Sequence, residues 1–135
     1  MMKPHRCENL PLHQESDLVM VRQLVKRHAV ELGFNSFGQT KIVTAASELG
    51  RNTLIHGGGG NMILESVIQN DRRGLRLTFE DKGPGIADLA QAMTDGFTTK
   101  GGLGLGLSGS KRLVNEFEIT SRVGEGTRVT VTQWV

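Results

Sequence analysis

The sequence predicts an α/β sandwich (α+β): one mixed or antiparallel sheet with helices on one face, in a single domain spanning 1–135. Three observations point there. Helix-period apolar stripes fill the first part of the chain, and period-two alternation broken by tight turns appears only later. Of the 18 glycines, 13 bunch at 57–60, 83–85, 101–109 and 124–126, which suggests work at particular places. Hydrophobic residues make up 37% of the chain, enough for one modest core.

Residues 1–14 read as loosely ordered or as an edge strand. Ser16-Asp17 then marks a helix start, and Leu18, Val21, Val25, Ala29 and Leu32 recur at helical spacing up to Gly33, a natural C-terminal stop. Lys26, Arg27 and His28 are expected to face outward near that end. Ser36-Phe37-Gly38-Gln39 has capping-box spacing and opens a second helix running to about His56. Its inner stripe is Ile42, Ala45, Ala46, Leu49 and Thr53, and Gly57–Gly60 ends it. Residues 61–69 and 75–79 alternate as the strands of a hairpin around the turn at 70–74. After the turn Asp81-Lys82-Gly83-Pro84-Gly85-Ile86, a short helix is expected over 87–94, a loop over 95–107 and a helix over 108–117 with Leu113, Val114 and Phe117 inward. A last hairpin pairs 118–123 with 127–134.

Composition narrows the function. The net charge of +2 comes from intermixed residues with no basic block, and aromatics are 4% with no Tyr, so a nucleic-acid surface is not supported. The single Cys7 has no internal partner and reads as a free thiol in a reducing compartment. Neither a signal peptide nor a membrane-length apolar run is seen, so the expected location is cytoplasmic, without a membrane partner. His5, His13, His28 and His56 lack metal-ligand spacing, and the glycine loop lacks the Gly-Lys-Ser/Thr ending of a P-loop.

The chemistry concentrates in four places. Gly101-Gly102-Leu103-Gly104-Leu105-Gly106-Leu107 leads into an amphipathic segment; bare N–H groups and a helix N-terminus there suit a phosphate, while alternating leucine argues against a plain linker. Glu48 and Asn52 are four apart on one helix face. Asn52 offers a neutral oxygen to magnesium, which keeps few protein ligands, and Glu48 offers a proton acceptor; a solvated Glu and an Asn near a helix end is the plainer reading. Asp81 ends a strand before Gly-Pro-Gly, where its carboxylate can accept an adenine amine and repel the guanine oxygen, or simply form the turn. Thr127 opens the last strand and either reaches the same pocket or is an ordinary hairpin residue. His56 reads as a helix-end histidine.

In combination, Glu48-Leu-Gly-Arg-Asn52, Asp81-Lys-Gly-Pro-Gly85-Ile86, the glycine run at 101–106 and Gly126-Thr127 resemble the Bergerat-fold (GHKL) ATP-binding proteins. Over about residues 15–135, with Arg22-Gln-Leu, Glu31-Leu-Gly-Phe34, Asp95-Gly-Phe97 and Lys111-Arg-Leu113 added, the chain looks like the small RsbT-type switch serine/threonine kinases.

That resemblance implies ATP and Mg2+ as cofactors, with Asn52 as the metal ligand and Glu48 as general base. Asp81 binds the adenine amine, Gly83, Gly85 and Ile86 belong to the nucleotide pocket, and Thr127 supports the base. Residues 96–107 form a lid over the triphosphate, in which Gly102, Gly104 and Gly106 donate N–H groups and Lys100, Gly101, Leu103 and Leu105 belong to the binding segment; the lid is expected to be unordered without nucleotide. The implied activity is phosphorylation of a STAS-domain antagonist in a partner-switching stress or signalling pathway, with a PPM-type phosphatase as a further partner and the oligomeric state open. The alternative is a nucleotide-gated binding switch, anti-sigma-like or phosphatase-activating, with little kinase activity. A detached histidine-kinase domain or a gyrase-type hydrolase fits less well, since neither a phosphoacceptor helix pair nor a second domain has room in 135 residues. Two departures stand out: Lys100 where such lids carry a small polar residue, and the length of the glycine run after His56.

Overall fold

The computed structural model describes residues 3–93 and 103–135. Its elements are β1 (Lys3–Leu12), α1 (Glu15–Leu32), α2 (Ser36–Ile55), β2 (Gly60–Gln69), β3 (Arg72–Asp81), α3 (Leu89–Ala92), α4 (Leu103–Leu113), β4 (Glu116–Arg122) and β5 (Gly126–Trp134). The strands form one sheet in the order β1-β2-β3-β5-β4, and every pairing is antiparallel, which settles the mixed-or-antiparallel expectation.

Alternation assigns the two faces of the sheet. Met62 and Leu64 of β2, Leu75, Leu77 and Phe79 of β3, and Val129 and Val131 of β5 are buried with Val21, Val25, Ile42, Ala46 and Leu49 of the helices in one core. The opposite face carries Glu65, Arg76, Thr78, Thr130 and Thr132, where Arg76 Nε and Nη2 grip the Glu65 carboxylate at 3.0 and 2.9 Å.

Of the two N-terminal expectations the edge strand is the one observed, and several other sequence expectations are corrected. The N-terminal segment is a ten-residue edge strand, paired with β2 from Lys3 to Leu12 across one irregularity at Pro4/Arg6. The cap of α2 is Asn35, whose side chain accepts from Gly38 N–H at 2.8 Å, and Gln39 donates instead to the Phe34 carbonyl; Ser36 is already helical. His28 faces inward, 2% exposed, because it continues the buried stripe of Val21, Leu24 and Val25; its Nε2 is hydrogen-bonded to Glu8 of β1. The third helix shrinks to Leu89–Ala92, capped by Asp88 Oδ1 on Gln91 N–H.

The largest difference lies at α4. It begins at Leu103, within the stretch expected to be loop, and ends at Leu113. Glycine costs about 1 kcal/mol relative to alanine inside a helix. Burial of Leu107 in the core and the packing of α4 against α2 offset that cost. The chain leaves helix early because Asn115 is fastened to the sheet: its N–H donates to Gln133 Oε1 and its Oδ1 accepts from Trp134 N–H. Phe117 is therefore a strand residue opposite Val131, facing the helices.

Candidate functional site

Between α2, the end of β3, the turn after it and β5 lies a cavity of about 120 Å3, lined by Leu49, Asn52, Thr53, His56, Gly57, Phe79, Asp81, Pro84, Gly85, Ile86, Leu107, Thr127 and Val129. Its walls are apolar from both layers, with a few polar groups converging, which is the composition of a ligand site. Whole-ligand pockets begin at roughly 300 Å3, so the described residues enclose only one end of a nucleotide-sized molecule. A broader depression of about 840 Å3 shares Asp81 and Thr127 with this cavity and is otherwise lined by Asn9, His13, Lys82, Arg122 and Arg128 among others. Its lining residues are polar, charged or glycine apart from Pro11, whereas Leu49, Phe79, Ile86, Leu107 and Val129 line the smaller cavity, and we place the site there.

Asp81 closes β3 in register with Gly60 on one side and Thr127 on the other. Its Oδ1 accepts from Gly83 N–H at 2.9 Å and from Thr127 N–H at 3.2 Å. Two backbone donors on one oxygen fix the carboxylate's rotation and leave Oδ2 without a hydrogen-bond partner among the described residues, beside Gly57 of the cavity wall. Gly57 makes room for this carboxylate, and Gly85 for the close approach of the turn to the end of β4. A Cβ at Gly57 would stand 2.3 Å from Asp81 Cγ, and Gly85 combines φ +76° with a Cβ position 2.2 Å from the Arg122 carbonyl oxygen.

Asn52 stands on α2 with its Nδ2 buried and without a hydrogen-bond partner among the described residues. Its carbonyl accepts from His56 and Gly57 N–H, so the same residue ends the helix and starts the glycine run. Glu48, one turn earlier, is exposed and outside the cavity lining, beside Ser47, whose hydroxyl accepts from Arg22 Nη1 at 3.3 Å. Thr127 lines the cavity, and its hydroxyl lies 2.8 Å from Ser121 Oγ.

The structure thus brings Asn52, Asp81, Gly85, Ile86 and Thr127 to one cavity, with Gly83 bound to Asp81, and leaves Glu48 exposed one helical turn before Asn52, outside the lining. Leu103, Gly104, Leu105 and Gly106 form the first turn of α4, one turn before Leu107 in the cavity wall. Lys100, Gly101, Gly102 and the rest of the expected lid before Leu103 lie outside the described residues, and its positions 103–107 are helical. Sequence reasoning passed over Gly57, noted only as a helix terminator, and Ser121. His56 lines the cavity, and its place four residues after Asn52 was the signal.

Residues 37–134 match the family model described as histidine kinase-, DNA gyrase B- and HSP90-like ATPase. This chain belongs to that family. It is 46% identical over 121 residues to the serine/threonine-protein kinase RsbT of Bacillus subtilis, covering 90% of this chain and 91% of that one. It is 35% identical over 102 residues to the anti-sigma F factor of Bacillus cytotoxicus, covering 71% and 69%. Among solved structures, the RsbU and RsbW domains of a Mycobacterium tuberculosis protein superpose with a TM-score of 0.64 at 21% identity, over 96% of this chain and 32% of that one. The SiaB–SiaC complex of Pseudomonas aeruginosa gives 0.57 at 13% identity, over 98% and 91%. These two likenesses concern the fold. Within the ATPase family the chain is a serine/threonine-protein kinase, with anti-sigma factors as further relatives. None of its described helices is long and apolar enough to cross a membrane.

Proposed function

We propose that this kinase binds ATP with the adenine in the 120 Å3 cavity and transfers the γ-phosphoryl group to a serine or threonine of a STAS-domain antagonist. The observation that carries the reading is Asp81, in the wall of an apolar cavity: one oxygen is tied down by two backbone N–H groups and the other has no hydrogen-bond partner among the described residues. A carboxylate held this way accepts a base amine and rejects a base carbonyl.

Asn52 fits a magnesium ligand. Its amide Nδ2 is buried without a partner among the described residues, and the O and N ends of an amide exchange by a flip, so a neutral oxygen is available there. Among the described residues no His, Cys, Asp or Glu group forms a cage of its own, so Asn52 would share the ion with nucleotide phosphates and water. The ion would neutralise phosphate charge. Glu48, exposed and one turn away on α2, acts as the base for an incoming protein hydroxyl, and the N–H groups opening α4 meet the phosphates. The freed kinase then engages a second partner, a PPM-type phosphatase, in the cytoplasm.

Calorimetric titration with ATP, ADP and GTP, with and without Mg2+, followed by phosphotransfer to a purified STAS-domain protein, tests this. Magnesium-dependent adenine-nucleotide binding and a phosphorylated serine or threonine are expected. Binding without transfer would leave the nucleotide-gated switch, which the anti-sigma relatives favour. No binding would end both readings.

A further inference from the structure

Ser121 lies on β4 directly opposite Thr127 of β5, on the helix-facing side of the sheet. Its hydroxyl has three neighbours. Ile86 N–H points at it from 2.8 Å, the Gly126 carbonyl oxygen lies at 3.1 Å, and Thr127 Oγ1 lies at 2.8 Å. A serine hydroxyl has one proton and two lone pairs. The Ile86 amide can only donate and the Gly126 carbonyl can only accept. All three contacts are satisfied in one arrangement alone: Ser121 gives its proton to Gly126 and accepts from both Ile86 and Thr127. Thr127 then has no proton left for the cavity it lines, and shows it only lone pairs.

We infer that Ser121 is a positioning residue that locks the Thr127 hydroxyl as an acceptor and thereby helps the cavity prefer an adenine edge over a hypoxanthine or guanine edge. The inference rests on the nucleotide reading above and deepens it. With Asp81 Oδ2, the cavity presents two acceptors, matched to the exocyclic amine of adenine. A carbonyl at that ring position meets lone pairs on both. The same serine ties the base turn in place: Ile86 N–H to Ser121 and Gly124 N–H to the Pro84 carbonyl at 2.8 Å join the 83–86 turn to the β4–β5 hairpin.

Without Ser121 the Thr127 hydroxyl is free to rotate and donate, so a base carbonyl becomes tolerable. The probes are ATP and inosine triphosphate, which differ only at the ring edge in question. Calorimetric titration of the intact chain with each gives the ratio of their affinities. Ser121→Ala is expected to narrow that ratio by about tenfold, the scale of one neutral hydrogen bond. Ser121→Thr, which keeps the hydroxyl, restores it. Thr127→Val narrows the ratio by itself, and adding Ser121→Ala to it causes no further narrowing, because the serine acts through the threonine. Circular dichroism and thermal melts confirm that each variant is folded, and Thr127→Val decides the matter where Ser121→Ala does not fold. An unchanged ratio in Ser121→Ala or in Thr127→Val, or additive effects of the two, overturns the inference while leaving ATP binding intact. A wild-type chain that binds neither nucleotide overturns the function and this inference together.

Discussion

The Asp81 carboxylate lies flat against the backbone of Gly57, so closely that a Cβ at position 57 would sit 2.3 Å from Cγ and 2.5 Å from Oδ2. No side chain fits there without moving Asp81. The flexible end of a long residue gives way cheaply, but Asp81 is anchored through Oδ1 to Gly83 and Thr127. Gly57→Ala is therefore expected to lower ATP affinity by at least about tenfold, at a stability cost of about 1–3 kcal/mol for overpacking. Titration calorimetry and urea unfolding read the two effects separately. Full ATP affinity in a folded Gly57→Ala chain would show that the placement of Asp81 is unimportant.

Asp81→Asn separates the carboxylate's charge from its structural duty. An asparagine carbonyl still accepts from Gly83 and Thr127 N–H, so the turn should survive and the melting temperature should change little. The other oxygen becomes an NH2 group, a donor where an amine was to be accepted. The loss of a charged hydrogen bond, about 1.5–3 kcal/mol, predicts ATP binding weakened by roughly 10- to 150-fold. Equal affinity in the variant would remove Asp81 from the base site.

The difference between Asp81 and Gly57 also explains what was legible in the sequence. Asp81 and its Gly-Pro-Gly turn announce themselves by local spacing, as do Glu48 and Asn52, because helix periodicity and turn chemistry are short-range. The hairpins and the inner stripes of α1 and α2 were visible for the same reason. Gly57 matters through a contact with β3, and Ser121 through three partners on the 83–86 turn and β5, so neither advertised its place. The start of α4 was hidden because its glycines favour loop and only packing overrides them. His28 misled because a charged-looking run Lys26-Arg27-His28 masks its position on the buried stripe.

That buried histidine makes a prediction about stability alone. His28 is 2% exposed and its Nε2 bonds Glu8 on the edge strand β1, away from the residues lining the nucleotide cavity. Glu8→Ala leaves the imidazole nitrogen buried without its partner, at a cost of about 1–3 kcal/mol. Urea unfolding should show that loss, with ATP affinity unchanged in the folded chain. An unaltered unfolding midpoint would mean that the imidazole finds another partner.

Glu48 and Asn52 share one face of α2 yet differ in burial, and the difference predicts separable phenotypes. Asn52 is in the cavity wall with a buried Nδ2 that has no partner among the described residues, whereas Glu48 is exposed and not among the residues lining that cavity. Glu48→Gln should therefore leave the affinities for ATP and ADP as they are. It should reduce phosphotransfer to a STAS-domain protein by about 10²–10⁴-fold, the usual contribution of a positioned base. Asn52→Ala should instead abolish the dependence of ATP binding on Mg2+, since it removes the one neutral oxygen offered to the ion while the base contacts at Asp81 remain. Calorimetry with and without Mg2+, beside a phosphotransfer assay at saturating ATP, distinguishes the two. Should Glu48→Gln lose nucleotide binding together with transfer, the carboxylate belongs to the nucleotide site and the proton acceptor lies elsewhere. Should it lose neither, positioning of the phosphates and the acceptor hydroxyl carries the reaction without a base.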